Sequence, residues 1–103
     1  MKKQPTRPRP SEALAANRAA IRRVVESHRA RNPRVFGSAL RGEDTTQSDL
    51  DILIDRMPKM TLFDVAAIHV ELERLLGVPV DVLTLAELPQ KCRRAVLAEA
   101  QPV

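Results

Sequence analysis

The chain has 103 residues, with 17 Lys and Arg against 13 Asp and Glu and a formal net charge of +4. That length holds one compact domain and leaves no room for a separate substrate-binding lobe. No apolar run reaches the ~18 residues of a membrane span, the first ten residues lack the apolar stretch of a secretory signal, and the single Cys92 excludes an internal disulfide. A reducing, cytoplasmic setting fits best.

The basicity is local. Lys2, Lys3, Arg7 and Arg9 fall within the first ten residues, which hold no acid; 17 minus these 4 leaves 13 basic residues against 13 acids. Pro5, Pro8 and Pro10 oppose helix there. Residues 1–10 therefore read as a disordered tail, either solubilising or touching nucleic acid, and residues 11–103 as a neutral domain. Ser11 is a suitable N-cap for a helix whose Leu14, Ile21, Val24, Val25 and His28 recur at helical spacing. Asn32-Pro33 stops it. Arg34-Val35-Phe36 predicts a short strand ending at Gly37. Leu50, Ile52 and Ile54 alternate with Asp49, Asp51 and Asp55, the period of a second strand. Met57-Pro58 breaks it. Thr61, with Asp64 in the first turn, opens a helix that carries Leu62, Val65, Ile68, His69, Leu72, Leu75 and Leu76 on its apolar side and ends at Gly77. Val78, Val80 and Val82 predict a third strand with Asp81 on its other face, and Pro79 marks it as an edge. A last helix runs from Pro89 to about Ala100. Helix, strand, strand, helix, strand, helix implies an α/β (α+β) fold, a small mixed sheet with helices packed on it.

Residues two apart on a strand face the same way, roughly 6.5–7 Å apart. With Leu50 and Ile52 turned to the core, Asp49 and Asp51 share the other face. Two such carboxylates repel unless a cation lies between them, and a pair of Mg²⁺ ions roughly 3.5–4 Å apart suits them; taken alone, so common a pair reads rather as two solvated acids on an exposed strand face. Its context favours the metal. Gly37-Ser38 follows a strand, where a glycine lets backbone N–H groups approach a phosphate. Ser38 adds a hydroxyl, Arg41 a cation within reach, and Asp81 a third carboxylate from another strand. His28 and His69 read as packing or surface residues, Asp55 as a strand-end acid, and Glu43 and Asp44 as solvated loop residues.

Val35-Phe36-Gly37-Ser38-Ala39-Leu40-Arg41-Gly42, followed by Ser48-Asp49-Leu50-Asp51-Ile52-Leu53-Ile54, resembles the signature of the DNA polymerase β nucleotidyltransferase superfamily: Gly-Ser, ten residues, then Asp-x-Asp. Residues 39–48 supply those ten. The Arg-Gly after Gly-Ser is similar to its smallest members, the minimal nucleotidyltransferases, and the likeness runs from about Val24 to Ala100. The resemblance implies a polymerase β-like fold. It implies metal ligation and catalysis by Asp49, Asp51 and Asp81, two Mg²⁺ ions, and ATP phosphates held at Gly37, Ser38 and Arg41. It also implies an antitoxin that transfers AMP to a tyrosine of a helical HEPN-type RNase toxin. The chain has no Tyr or Trp and only two Phe, so the acceptor lies on another molecule and no aromatic platform for single-stranded nucleic acid exists. Two alternatives stand beside this reading: an antitoxin that masks its toxin with a vestigial site, and a nucleotidyltransferase subunit for a small-molecule acceptor.

Overall fold

The computed structural model describes residues 7–103. Most of the proposed tail thus lies outside the described residues. The elements run in chain order: α1 (Pro10–Glu26), β1 (Ala30–Phe36), α2 (Ser38–Arg41), β2 (Leu50–Arg56), α3 (Leu62–Leu76), β3 (Val80–Leu83), a 3-10 turn (Leu85–Glu87), α4 (Gln90–Glu99) and β4 (Gln101–Pro102). The strands form one sheet in the order β3-β2-β1-β4. β1 is antiparallel to both β2 and β4, whereas β2 and β3 run parallel. The sheet is mixed, as the sequence implies, and β3 stands at an edge, as Pro79 indicates.

The alternation in β2 sorts the layers. Leu50, Ile52 and Ile54 join Val35, Val80 and Val82 under α1 and α3, whose Leu14, Ile21, Val25, Ile68, Leu72 and Leu76 complete the main core. The opposite sheet face carries Phe36 and Leu53, covered by Leu88 and packed against by Leu83, Val96 and Ala100. Asp51 is on that second face because it neighbours core residues Leu50 and Ile52 in a strand of period two.

Several local expectations change. α1 begins at Pro10, which is buried, and Arg9 stands at its N-cap position. Proline is preorganised for the first helical turn, so Pro10 belongs to the domain. Ser11 is not the cap; its N–H donates to Asp44 Oδ2 at 2.7 Å. Asp44 is accordingly 5% exposed rather than solvated. A carboxylate at a helix N-terminus is favoured by the helix dipole and by N–H groups that lack intrahelical partners. Asp44→Ala is therefore expected to cost about 1–2 kcal/mol, read as a lower urea midpoint with unchanged slope.

β1 starts earlier than its apolar residues suggest, with an irregularity between Arg31 and Arg34 where Asn32 has φ +54°. Pro33 sits in that bulge, where its missing N–H breaks no ladder bond. Its carbonyl accepts from Val103 N at 3.0 Å. Val78 lies before β3, and the Pro79 carbonyl accepts from Leu50 N at 2.9 Å. Thr61 and Asp64 form the expected capping box, and Gly77 closes α3. Val96 packs on the second face, whereas Leu97 is exposed. His28 pairs with Glu71, His69 with Glu73, and Asp55 with Arg34.

Candidate active site

The parallel pairing of β2 and β3 sets the site. Its register places Asp51 opposite Asp81, with Leu50 opposite Val80 and Ile52 opposite Val82. Each valine turned to the core forces its neighbouring aspartate to the other face. Asp51 and Asp81 consequently meet, close enough for their carboxyl groups to hydrogen-bond. Burial, then the Asp81 charge, pushes the Asp51 pKa up to about 6; Asp49 adds to the rise and Arg41 opposes it.

Asp49 precedes the first residue of β2 and is exposed. Among the described residues, no three Asp, Glu, His or Cys side chains are gathered closely enough to enclose a metal ion. The anticipated triad is open in this geometry: Asp51 and Asp81 are in contact, and Asp49 stands at the strand entrance.

The Gly37 loop approaches from β1. Phe36, the last residue of β1, is the register partner of Asp51. Gly37 follows with φ +79° and ψ −156°. A Cβ there would overlap Asp51 Oδ2 and lie 3.3 Å from Asp51 Cγ. The glycine thus lets the loop and the carboxylate share one space. Ser38 begins the single turn of α2, and Arg41 ends it. The loop and the acids, 14 residues apart between Gly37 and Asp51 in the numbering, form one surface.

Arg41 is not free. Its Nε donates to Glu43 Oε1 at 2.8 Å and its Nη1 to Glu99 Oε1 at 2.5 Å. Hydrogen bonds to Glu43, then to Glu99, raise its pKa above the ordinary arginine value. The other Glu99 oxygen accepts from Gly37 N at 3.2 Å. Arg41, then the Gly37 N–H, hold the Glu99 carboxyl below its usual range. Neither glutamate stands out in the sequence as a site residue. Glu43 is in a polar loop, and Glu99 ends a charged helix; only the tertiary fold brings Glu99 to Gly37.

A cleft of about 400 Å³ lies at the other end of β2, lined by Asp55, Arg56, Thr84, Leu85, Ala86 and Arg93. It contains none of the residues Asp49, Asp51 or Asp81. The carboxylates beside the Gly37 turn are the candidate site, since paired acids next to a glycine loop suit ionic chemistry better than concavity alone.

Comparison with known proteins identifies relatives of the chain and of its fold. Residues 18–103 match the family model of the nucleotidyltransferase domain. A candidate protein adenylyltransferase of Methanocaldococcus jannaschii is 34% identical over 80 residues, covering 78% of this chain and 86% of that protein. The protein adenylyltransferase MntA of Thermococcus cleftensis is 38% identical over 65 residues, covering 63% and 66%. A solved structure of a candidate minimal nucleotidyltransferase superposes with a TM-score of 0.82 at 42% identity, covering 90% of this chain and 95% of that one. A chain from a toxin–antitoxin crystal structure with AMP-PNP shares the fold, with a TM-score of 0.71 at 18% identity and coverage of 84% and 71%. The chain belongs to the nucleotidyltransferase domain family, among its minimal members, and is a nucleotidyltransferase.

Proposed function

We propose that this nucleotidyltransferase moves AMP from ATP to a tyrosine of a partner protein, and that the partner is a helical HEPN-type RNase toxin whose antitoxin it is. The observation that carries the reading is the Asp51–Asp81 contact beside Gly37. The all-oxygen donor set and the raised Asp51 pKa fit a hard divalent cation better than an uncharged ligand. Asp49, Asp51 and Asp81 would hold two Mg²⁺ ions, which when bound supply charge neutralisation for the triphosphate and a more acidic acceptor hydroxyl.

The chain's own residues divide the remaining work. Ser38 and the Gly37 loop orient the polyphosphate by hydrogen bonds that strengthen as charge develops. Arg41 supplies a guanidinium to the same oxygens. Asp81, exposed at the sheet edge, receives the proton of the attacking hydroxyl. The tyrosyl oxygen bonds to the α-phosphorus, the bond from that phosphorus to the bridging oxygen breaks, and pyrophosphate leaves. A protein acceptor is supported by the names of the two adenylyltransferase relatives and by the lack of any tyrosine in this chain. The toxin partner is what the resemblance to antitoxin-type minimal members implies.

The test is incubation with the candidate toxin, ATP and Mg²⁺, followed by intact-mass measurement and an RNase assay. The expected result is a gain of whole AMP units on the toxin and loss of its RNase activity, both requiring Asp49 and Asp51. A toxin silenced without mass gain, and equally well by an Asp49→Asn, Asp51→Asn double variant, would replace transfer by masking.

A further inference from the structure

We propose that Glu99 is a built-in occupant of the phosphate cradle, which nucleotide must displace to bind. This rests on the reading of Gly37 and Arg41 as phosphate ligands. The Glu99 carboxylate bridges the two groups assigned to that role: Oε2 accepts from Gly37 N at 3.2 Å and Oε1 from Arg41 Nη1 at 2.5 Å. A carboxylate spanning a loop N–H and a guanidinium makes the contacts of a phosphate with two of its oxygens. With Glu43 on Nε, the Arg41 charge is spoken for twice.

The setting of Glu99 suits an occupant that can leave. It is the last residue of α4, where the helix dipole disfavours an anion; its stay there depends on Arg41 and Gly37. α4 has no fully buried residue, and β4 beyond it pairs with β1 through only two residues. Elements with few buried contacts open at low cost. Withdrawal of Glu99 frees the Arg41 Nη1 donor and a backbone N–H beside Asp51 without disturbing the main core, to which α4 contributes nothing. Nucleotide binding then becomes an exchange of one anion for another, and anything that holds α4 away favours it.

The experiment is calorimetric titration of the whole chain with MgATP and, separately, with inorganic tripolyphosphate, for wild type, Glu99→Gln and Glu99→Asp. Glutamine keeps the shape and can still accept from Arg41 but removes the charge. It should bind both probes about tenfold more tightly, as expected when a charged hydrogen-bond competitor becomes neutral. Aspartate keeps the charge but retracts it by one methylene, and should tighten binding less; it also preserves the test if the glutamine variant folds poorly. Wild-type binding that Glu99→Gln leaves unchanged or weakens would overturn the occupant role, make Glu99 a positioning residue for Arg41, and leave the nucleotide site intact. No binding of either probe to any of the three proteins would overturn both this proposal and the nucleotide reading beneath it.

Discussion

Asp51→Asn is expected to abolish nucleotide transfer, by roughly a thousandfold or more, while making the metal-free protein more stable. The two effects have one cause. Asp51 is held against Asp81 on the inner side of an edge strand, with Asp49 close enough to add its charge. That crowding is what a divalent cation relieves, so loss of one carboxylate removes a ligand from the most enclosed position of the site. Asparagine retains the shape and can donate to Asp81 but lacks the charge. The folded pKa of about 6 lies above the ordinary value of 3.8. Between those values the folded state binds more protons than the unfolded state, so stability falls as pH rises from about 4 to about 6, and the deficit persists above. The full shift is worth about 3 kcal/mol; because Asp51 is only half-buried, solvent screening reduces this to about 1 kcal/mol. Asp51→Asn should therefore raise the metal-free melting temperature at pH 8 by roughly 4–8 °C, and the gain should vanish near pH 4. Mg²⁺ should stabilise wild type increasingly as pH rises through about 6, because ligation needs the ionised carboxylate. Scanning fluorimetry from pH 4 to 8, with Mg²⁺ and with EDTA, reads all of this. A variant that turns over near the wild-type rate, or one whose metal-free stability is lower at every pH, would remove Asp51 from the centre of the site.

The legible parts of this protein are those written in local period. β2 declares itself through Leu50, Ile52 and Ile54, and the same alternation exposes Asp49 and Asp51. Val80 and Val82 do so for Asp81, and Pro79 indicates the edge. What the sequence hides are contacts between distant positions. Asp44 reaches Ser11 across 33 residues, and Glu99 reaches Gly37 across 62; each reads locally as a solvated acid in a polar stretch. β4 is hidden for another reason. Two residues, one of them proline, carry no periodicity, and the pairing arises because Val103 is buried and its N–H reaches the Pro33 carbonyl. Arg41 is a mixed case. Its position after Gly-Ser marks it as an anion ligand, but the anions it meets in the fold are the chain's own glutamates.

Gly37→Ala should be the second most damaging single change, and the damage should exceed what loop position alone predicts. The backbone at Gly37, with φ +79° and ψ −156°, occupies a region essentially confined to glycine, at a cost of about 1–3 kcal/mol for other residues. The added methyl also has nowhere to go, since its Cβ would overlap Asp51 Oδ2. Relief requires Asp51 to turn away from Asp81 or the loop to lift from β2. Either movement separates the Gly37 backbone, the proposed phosphate ligand, from the carboxylates, and a displacement near 1 Å costs about a hundredfold in rate. Overpacking adds about 1–3 kcal/mol, so a fall in melting temperature of roughly 10 °C or more is expected. Gly42 provides the control. It too has positive φ, at +72°, but a Cβ there meets nothing within 4 Å. Gly42→Ala should cost about 1–2 kcal/mol in stability and leave transfer within a few-fold. Both variants are to be compared by thermal melting and by single-turnover transfer at a temperature where each is folded. Equal transfer by folded Gly37→Ala and Gly42→Ala would mean that the contact between Gly37 and Asp51 is not what fixes the site.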